Sequence, residues 1–309
     1  MRATRSIAIV LGATAAAWLA LNCAIGVIAI EGATHLRRVP ITAADEDRAR
    51  DLAEGNHATL SDVQIVAKDG ARLRAWNLRP VARNGDAVLL LHGQGDNRAG
   101  MLGPAQMLLR HGYSVLLPDA RAHGMSSGDI GTYGVLEADD IRRWFGWLQQ
   151  NESPRCIDGL GDSMGAAELL ESLTVEDAFC AVVAESPFAT FREAAYDRLG
   201  QQFSEGPWLG RTLLRPALVA ATEYERIRYG IDFRKADPAR AVAHSHVPVL
   251  LIHGLADTNL PPRHSRMIKS GNPGVALWEP AAADHCGAST AEPAEYERKV
   301  IGWFSGHEI

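Results

Sequence analysis

The chain opens with one long apolar block and then settles into short apolar runs separated by amphipathic stretches. Residues 6 to 30 carry no charge, and a helix of that length, at a rise of about 1.5 Å per residue, crosses a hydrocarbon core of about 30 Å with some tilt. Arg2 and Arg5 precede the block, and Arg37 and Arg38 follow it. The pattern predicts an N-terminal transmembrane anchor over residues 1–33. A cleaved signal peptide is the competing reading, because Ala13-Thr14-Ala15 and Ala15-Ala16-Ala17 fit a small-residue cleavage site. Cutting there would leave Trp18 to Ile30 as an exposed apolar tail, which favours an uncleaved anchor. With the arginines nearly balanced, the free N-terminal amine tips the orientation toward N-terminus inside and the rest of the chain outside. Residues 34–61 read as a polar linker, in which Thr42, ahead of Asp45 and Glu46, caps a short spacer helix through Leu52.

From residue 62 to the end the period changes repeatedly between strand-like and helix-like. Val63 to Ala67 and Leu73 to Leu78 flank Lys68-Asp69-Gly70-Ala71, an antiparallel hairpin with an Asp-Gly turn. Buried-strand candidates follow at 87–91, 114–117, 156–160, 180–184, 248–252 and 275–278. Helical stretches lie between most of them, at 99–110, 136–150, 164–173, 263–269 and 293–304. Short apolar runs returned by helices imply a mostly parallel sheet of about eight strands covered on both faces, an α/β fold with an antiparallel edge.

Composition narrows the class. A chain of 309 residues at 47% hydrophobic buries a substantial core, and its net charge of −6, without a Lys/Arg cluster, argues against a nucleic-acid partner. The four cysteines do not define a disulfide scaffold: Cys23 lies in the apolar block and Cys286 beside His285, while Cys156 and Cys180 begin two neighbouring strand candidates. A Cys156–Cys180 bridge is open outside the cytoplasm. His244-Ser245-His246 has no third ligand nearby, so no metal is expected.

Open α/β sheets place their chemistry at strand ends, and five segments there carry it. They are Leu91-His92-Gly93-Gln94-Gly95-Asp96-Asn97, Pro118 to Gly128, Gly161-Asp162-Ser163-Met164-Gly165, His253-Gly254-Leu255-Ala256-Asp257 and Ala283-Asp284-His285-Cys286-Gly287. Ser163 sits at a strand-to-helix turn flanked by glycines, as a strained turn requires, so its hydroxyl is pushed out of the sheet. A neutral hydroxyl needs a base, and His285 is the candidate, with Asp257 to hold its tautomer and offset the imidazolium charge. Glu185 is the alternative acid, and Asp284 is close to His285 along the chain. His253 and His123 are alternative bases, although His123 suits its own loop and His92 the turn at Gln94.

The order Ser163, Asp257, His285 and the segments HGQGDN, DARAHGMSSG, GDSMG, ESPF, PVLLIHGLAD and ADHCG resemble the α/β-hydrolase superfamily from about Ser61 to Phe304. Within it the chain is most similar to monoacylglycerol-lipase-like and serine-aminopeptidase-like hydrolases, including membrane-anchored bacterial members. The resemblance implies a serine hydrolase without a cofactor, working through an acyl-enzyme on a small-molecule carboxylic ester, with the backbone N–H groups of Gln94 and Met164 as oxyanion hole. Thioesterase, amidase, peptidase or acyltransferase chemistry would use the same residues.

Readings from other classes stay beside it. Gly159, Gly161 and Gly165 with Glu185 twenty residues on resemble a dinucleotide-binding turn, but that fingerprint spaces its last glycines one residue closer and explains neither Asp257 nor His285. An inactive, membrane-tethered binding module is the third reading. Residues 187–247 are too long for a simple connection and read as a small helical cap. Phe188 and Trp208, with Leu260 beyond the cap, are candidate pocket-lining residues; the cap's apolar residues would equally serve to pack it onto the sheet.

Overall fold

The computed structural model describes residues 2–306, the first three of these by backbone only; Met1 and residues 307–309, the outer ends of the expected anchor and hydrolase segments, lie outside the described residues. In chain order the strands are β1 (Ala58–Val66), β2 (Arg72–Pro80), β3 (Ala87–Leu91), β4 (Ser114–Pro118), β5 (Ile157–Asp162), β6 (Val182–Glu185), β7 (Val249–Ile252) and β8 (Ala276–Trp278). The helices are α1 (Arg2–Thr34), α2 (Ala43–Gly55), α3 (Leu102–Arg110), α4 (Glu137–Asn151) and α5 (Met164–Ser172). They continue as α6 (Phe191–Gln201), α7 (Trp208–Arg211), α8 (Arg215–Arg228), α9 (Pro238–Ala243), α10 (Arg263–Gly271), α11 (Ala288–Ala291) and α12 (Pro293–Phe304). The chain divides into two compact units, one of residues 35–190 and 235–309, the other of residues up to Thr34 with Phe191–Arg234.

The larger unit is built on one 8-stranded sheet in the order β1-β2-β4-β3-β5-β6-β7-β8. β1 and β2 pair antiparallel through the Asp69-Gly70 turn, and β2 joins β4 antiparallel. From β4 to β8 every pairing is parallel. Alternation along β3 shows why both faces must be covered. Ala87, Leu89 and Leu91 join Trp144, Phe145 and Leu148 of α4 and Leu169 and Leu170 of α5, whereas Val88 and Leu90 face Ala105 and Leu108 of α3 and Val300 and Phe304 of α12. Successive side chains of a strand point to opposite faces, so the continuous apolar run is the signature of a doubly covered strand.

Two expectations change. The helix capped by Thr42 forms, with a capping box to Asp45, but it is not a spacer. Ala49 and Ala53 are buried with Trp76 and Leu78 against the sheet, because small side chains on one helical face allow close approach, a feature that the polar composition of the segment hides. The helical insertion is also shorter than 187–247. Phe188 and Ala189 stay with the sheet, where Ala189 O accepts the Ala239 N–H at 2.9 Å, and Val242 of α9 enters the main core.

The smaller unit is made of α1, α6, α7 and α8, with α1 packed on α8. Along α1 the residues from Arg5 to Leu21 are exposed, and the buried positions are Asn22, Gly26, Ile30 and Thr34. That spacing of four puts them on one stripe. A Cβ at Gly26 would stand 2.1 Å from the Ala217 carbonyl oxygen, so α1 and α8 touch backbone to backbone there. Thr34 Oγ1 lies 3.1 Å from Glu225 Oε1, and Tyr229 donates to Glu31 Oε1 at 3.0 Å.

Cys156 and Cys180 form a disulfide with their Cα atoms 5.7 Å apart. They immediately precede β5 and the run into β6, and the Cys180 N–H donates to the Ile157 carbonyl at 2.9 Å, so the parallel pairing sets the separation. The bridge closes a 24-residue separation, and chain-entropy arguments assign such a loop about 3 kcal/mol. The double substitution Cys156→Ser/Cys180→Ser is expected to lower the Tm by several degrees; an unchanged Tm, with and without reductant, would contradict this.

A second expectation concerns Asp158, on β5. Its carboxylate is fully buried, with the Ala181 backbone as its only hydrogen-bonding influence among the described residues and no hydrogen bond of normal geometry. Burial pushes it up to about 8, with repulsion from Asp86 adding to the effect. Between its unfolded value of about 4 and this folded value, the native state holds a proton that the unfolded chain has released, so stability falls as pH rises through that window. Asp158→Asn is expected to match the parent Tm near the lower limit and exceed it at the upper one. Parallel Tm-against-pH curves for the two proteins would refute the assignment.

Candidate active site

Ser163 is the joint between β5 and α5, with φ +53° and ψ −109°, a conformation that residues with side chains rarely adopt. Packing on both sides holds it. A Cβ at Gly161 would lie 2.6 Å from the Gly165 carbonyl oxygen, and one at Gly165 would lie 2.5 Å from that of Leu91. Strand β5, helix α5 and the end of β3 therefore meet backbone to backbone, and only glycine fits. The Ser163 N–H donates to the Glu185 carbonyl at 2.8 Å, which ties the turn to the end of β6.

Two loops bring partners to the hydroxyl. His285, after β8, places Nε2 2.8 Å from Ser163 Oγ and Nδ1 2.7 Å from Asp257 Oδ2. Asp257 lies after β7 with its side chain wholly buried, while the imidazole keeps 21% of its surface. The other carboxylate oxygen, Oδ1, accepts the N–H groups of Asn259 and Leu260, each at 2.9 Å. His253 is the neighbour that sequence reasoning placed only as a rival base. Its Nε2 stands 2.7 Å from the Leu260 carbonyl and 3.3 Å from Asp257 Oδ2, and its Nδ1 meets Ser265 Oγ at 2.7 Å.

Burial works against the Asp257 carboxylate, yet hydrogen bonds from His253 and His285 and from the Leu260 N–H hold it well below the usual carboxylate range. An ionised Asp257 accepts, so Nδ1 of His285 carries the proton and Nε2 faces the serine as acceptor. An imidazole so oriented can take the proton of Ser163 Oγ.

The turn after β3 and the start of α5 flank the hydroxyl. A Cβ at Gly93 would lie 3.6 Å from Ser163 Cβ, so the turn after β3 runs alongside the hydroxyl, and Gln94 is its next, exposed residue. Met164 is the first residue of α5, where an N–H has no helical carbonyl to bond and the helix dipole is positive. The turn is stitched to the loop after β4: Asp119 accepts the Arg98 N–H at 2.8 Å and the Met125 N–H at 2.7 Å, and His92 Nε2 accepts the Ala120 N–H at 3.1 Å. His123 Nδ1 lies 2.9 Å from the Arg121 carbonyl, within its own loop. Asp119 was not singled out from the sequence. Its signal was Gly124, where a Cβ would fall 2.2 Å from the Asp119 carboxyl carbon.

Beneath Ser163, Asp162 and Glu185 are register partners on β5 and β6. Burial and then their mutual repulsion raise Asp162 well above its ordinary value, and burial raises Glu185 to about 7 despite a bond from the Ala288 N–H. Glu185 Oε1 is engaged with that N–H at 2.9 Å. Asp257, and not Glu185, is the carboxylate against His285. Burial pushes the Cys286 thiol well up, so it is no thiolate nucleophile. Of the expected pocket residues, Phe188 is buried with its ring edge-on to Tyr133 at 6.4 Å. Leu260 is buried on the Asp257 loop. Trp208 belongs to the smaller unit, half exposed, its indole N–H donating to Glu205 at 3.1 Å. No metal-holding group of three or more His, Cys, Asp or Glu occurs among the described residues.

Residues 88–298 match the family model described as the alpha/beta hydrolase family. The uncharacterized protein YqkD of Bacillus subtilis is 25% identical over 268 residues, covering 83% of this chain and 85% of its own. An uncharacterized protein of Mycobacterium tuberculosis, Rv2307c, is 32% identical over 203 residues, 65% of this chain and 63% of its own. Among solved structures, the Pyrococcus furiosus esterase Pf2001 superposes with a TM-score of 0.68 at 24% identity, covering 88% of this chain and 99% of that one. The acylaminoacyl peptidase of Pyrococcus horikoshii gives 0.62 at 19% identity, over 81% of this chain and 41% of its own. The family match spans the Ser163, Asp257 and His285 segments; the chain belongs to the alpha/beta hydrolase family.

Proposed function

We propose that the chain is a membrane-anchored serine hydrolase that cleaves a carboxylic ester through an acyl-enzyme intermediate. The observation that carries this reading is the continuous contact from Ser163 Oγ to His285 Nε2 at 2.8 Å and from His285 Nδ1 to Asp257 Oδ2 at 2.7 Å. His285 takes the serine proton as Oγ attacks the acyl carbon, and the Gln94 and Met164 N–H groups receive the oxyanion. His285 then returns the proton to the departing alcohol. Water repeats the sequence against the acyl-serine and frees the acid. Asp257 stays ionised through the neutral and mildly acidic range, so it stabilises the imidazolium at each step.

A neutral, partly apolar acyl group suits the site, with the buried apolar residues Phe188 and Leu260 as its proposed lining. The esterase likeness supports hydrolytic chemistry by analogy of fold. For location, the most apolar 18-residue window of α1 has a mean hydropathy of 1.9, and 17% of it is buried. The Cys156–Cys180 bridge favours an oxidising compartment, in keeping with a catalytic unit outside the cytoplasm and the N-terminus inside.

A fluorophosphonate probe is expected to label the parent protein at Ser163 and leave Ser163→Ala unlabelled. On a panel of esters, thioesters and aminoacyl amides, Ser163→Ala is expected to lose about 10⁶-fold in kcat, and Asp257→Asn about 10⁴-fold. The panel ranks the acyl bonds. Full activity of Ser163→Ala on the preferred substrate would discard the mechanism.

A further inference from the structure

The exposed part of α1 is too short to cross a membrane alone. Its buried stripe against α8 begins at Asn22, so the free, uncharged stretch is residues 6 to 21, which at about 1.5 Å per residue reaches about 24 Å against a hydrocarbon core of about 30 Å. The next turn of α1 must also lie at membrane depth, and that turn is already packed on protein. Leu19 and Cys23 line a shallow groove whose opposite wall is Thr212, Arg215, Pro216, Val219 and Ala220, closed by the acidic Glu223 one turn beyond Val219. Ile25 packs on the cluster of Leu214, Ala217 and Leu218.

The two helices run in the same direction, since Gly26 meets Ala217 and Thr34 meets Glu225. The start of α8, with α7 just before it, therefore lies beside the part of α1 nearest its free stretch. That end is apolar and exposed: Trp208 at 51%, Leu213 at 54% and Val219 at 55%. Arg215 stands among these residues and is exposed, and the exposed Arg211 beside it is paired with Glu193. An indole with long cationic side chains around aliphatic residues is the composition of a membrane interface, where arginine reaches headgroup phosphates while its stem lies in the acyl region. The free stretch of α1 is apolar on all sides, with Ile7, Ile9, Val10, Leu11, Leu19 and Leu21 all exposed, which suits lipid rather than a single protein face.

Resting on the anchored reading of α1, we propose that the smaller unit is itself seated in the bilayer, with α7 and the first turns of α8 in the headgroup–acyl boundary beside α1. Trp208, expected from the sequence to line a pocket, is assigned to this lipid face. The occupant is a lipid bilayer; a second copy of the chain is the alternative that the test separates.

The test uses the full chain carrying Cys23→Ser and Cys286→Ser, so that a single added cysteine takes an environment-sensitive fluorophore. Cysteine replaces Val10, Leu213, Val219 or Ile227 in turn, and each protein is reconstituted into phosphatidylcholine/phosphatidylglycerol vesicles with or without doxyl-labelled lipid. Position 227 is the ruler, about 12 Å farther along α8 than 219. The expected result is blue-shifted emission, lost to doxyl lipid, at 10, 213 and 219, with water-like, unquenched emission at 227. Quenching at 10 alone leaves the anchor standing and overturns the seated unit. Blue-shifted but unquenched emission at 213 and 219 points to a second copy and also overturns it. Quenching at 227 equal to that at 213 removes the orientation proposed. No quenching even at 10 sinks the anchored reading and this proposal together.

Discussion

The site depends on one steric demand, the backbone contact where β3, β5 and α5 converge on Ser163. With no room for a Cβ at Gly161 or Gly165, the helix start is drawn against the strand ends and the serine is left in a conformation that it would not choose alone. The strain is local, while the elements that enforce it are buried strands and helices of the main core. Preorganisation of the hydroxyl is thus a property of the packed sheet and not of the loop that carries it.

Around that joint the electrostatics divide by hydrogen bonding. Asp257 and Glu185 are both buried carboxylates on neighbouring strand ends, yet one is held ionised and the other is pushed up to about 7. Asp257 receives two backbone N–H groups on one oxygen and two histidines on the other, whereas for Glu185 the Ala288 N–H does not offset burial and the charge of Asp257. Burial is common to both, so the partners decide.

Much of this was legible in the sequence. The glycine pair, the order of Ser163, Asp257 and His285, and the doubly apolar strands each follow from a local steric or periodic requirement, and such requirements are visible one segment at a time. What stayed hidden depends on long-range neighbours. The polar helix α2 conceals a packing stripe in Ala49 and Ala53, which signal nothing until Trp76 and Leu78 face them. Asp119 clamps two loops that are adjacent only in space. His253 reads as a spare base in the sequence and becomes a prop for Asp257 only when Leu260 and Ser265 close around it. The stripe Asn22-Gly26-Ile30-Thr34 is invisible within a helix that is apolar all round.

The pairing of α1 with α8 has a consequence for assembly. Thr34 and Glu225, in contact at that interface, are 191 residues apart in the chain, so α1, made before α8, waits for it before its buried stripe is satisfied. Loop closure over that length delays the contact. The smaller unit therefore has no folded form of its own during most of synthesis, and α1 must be kept from other apolar partners throughout that interval.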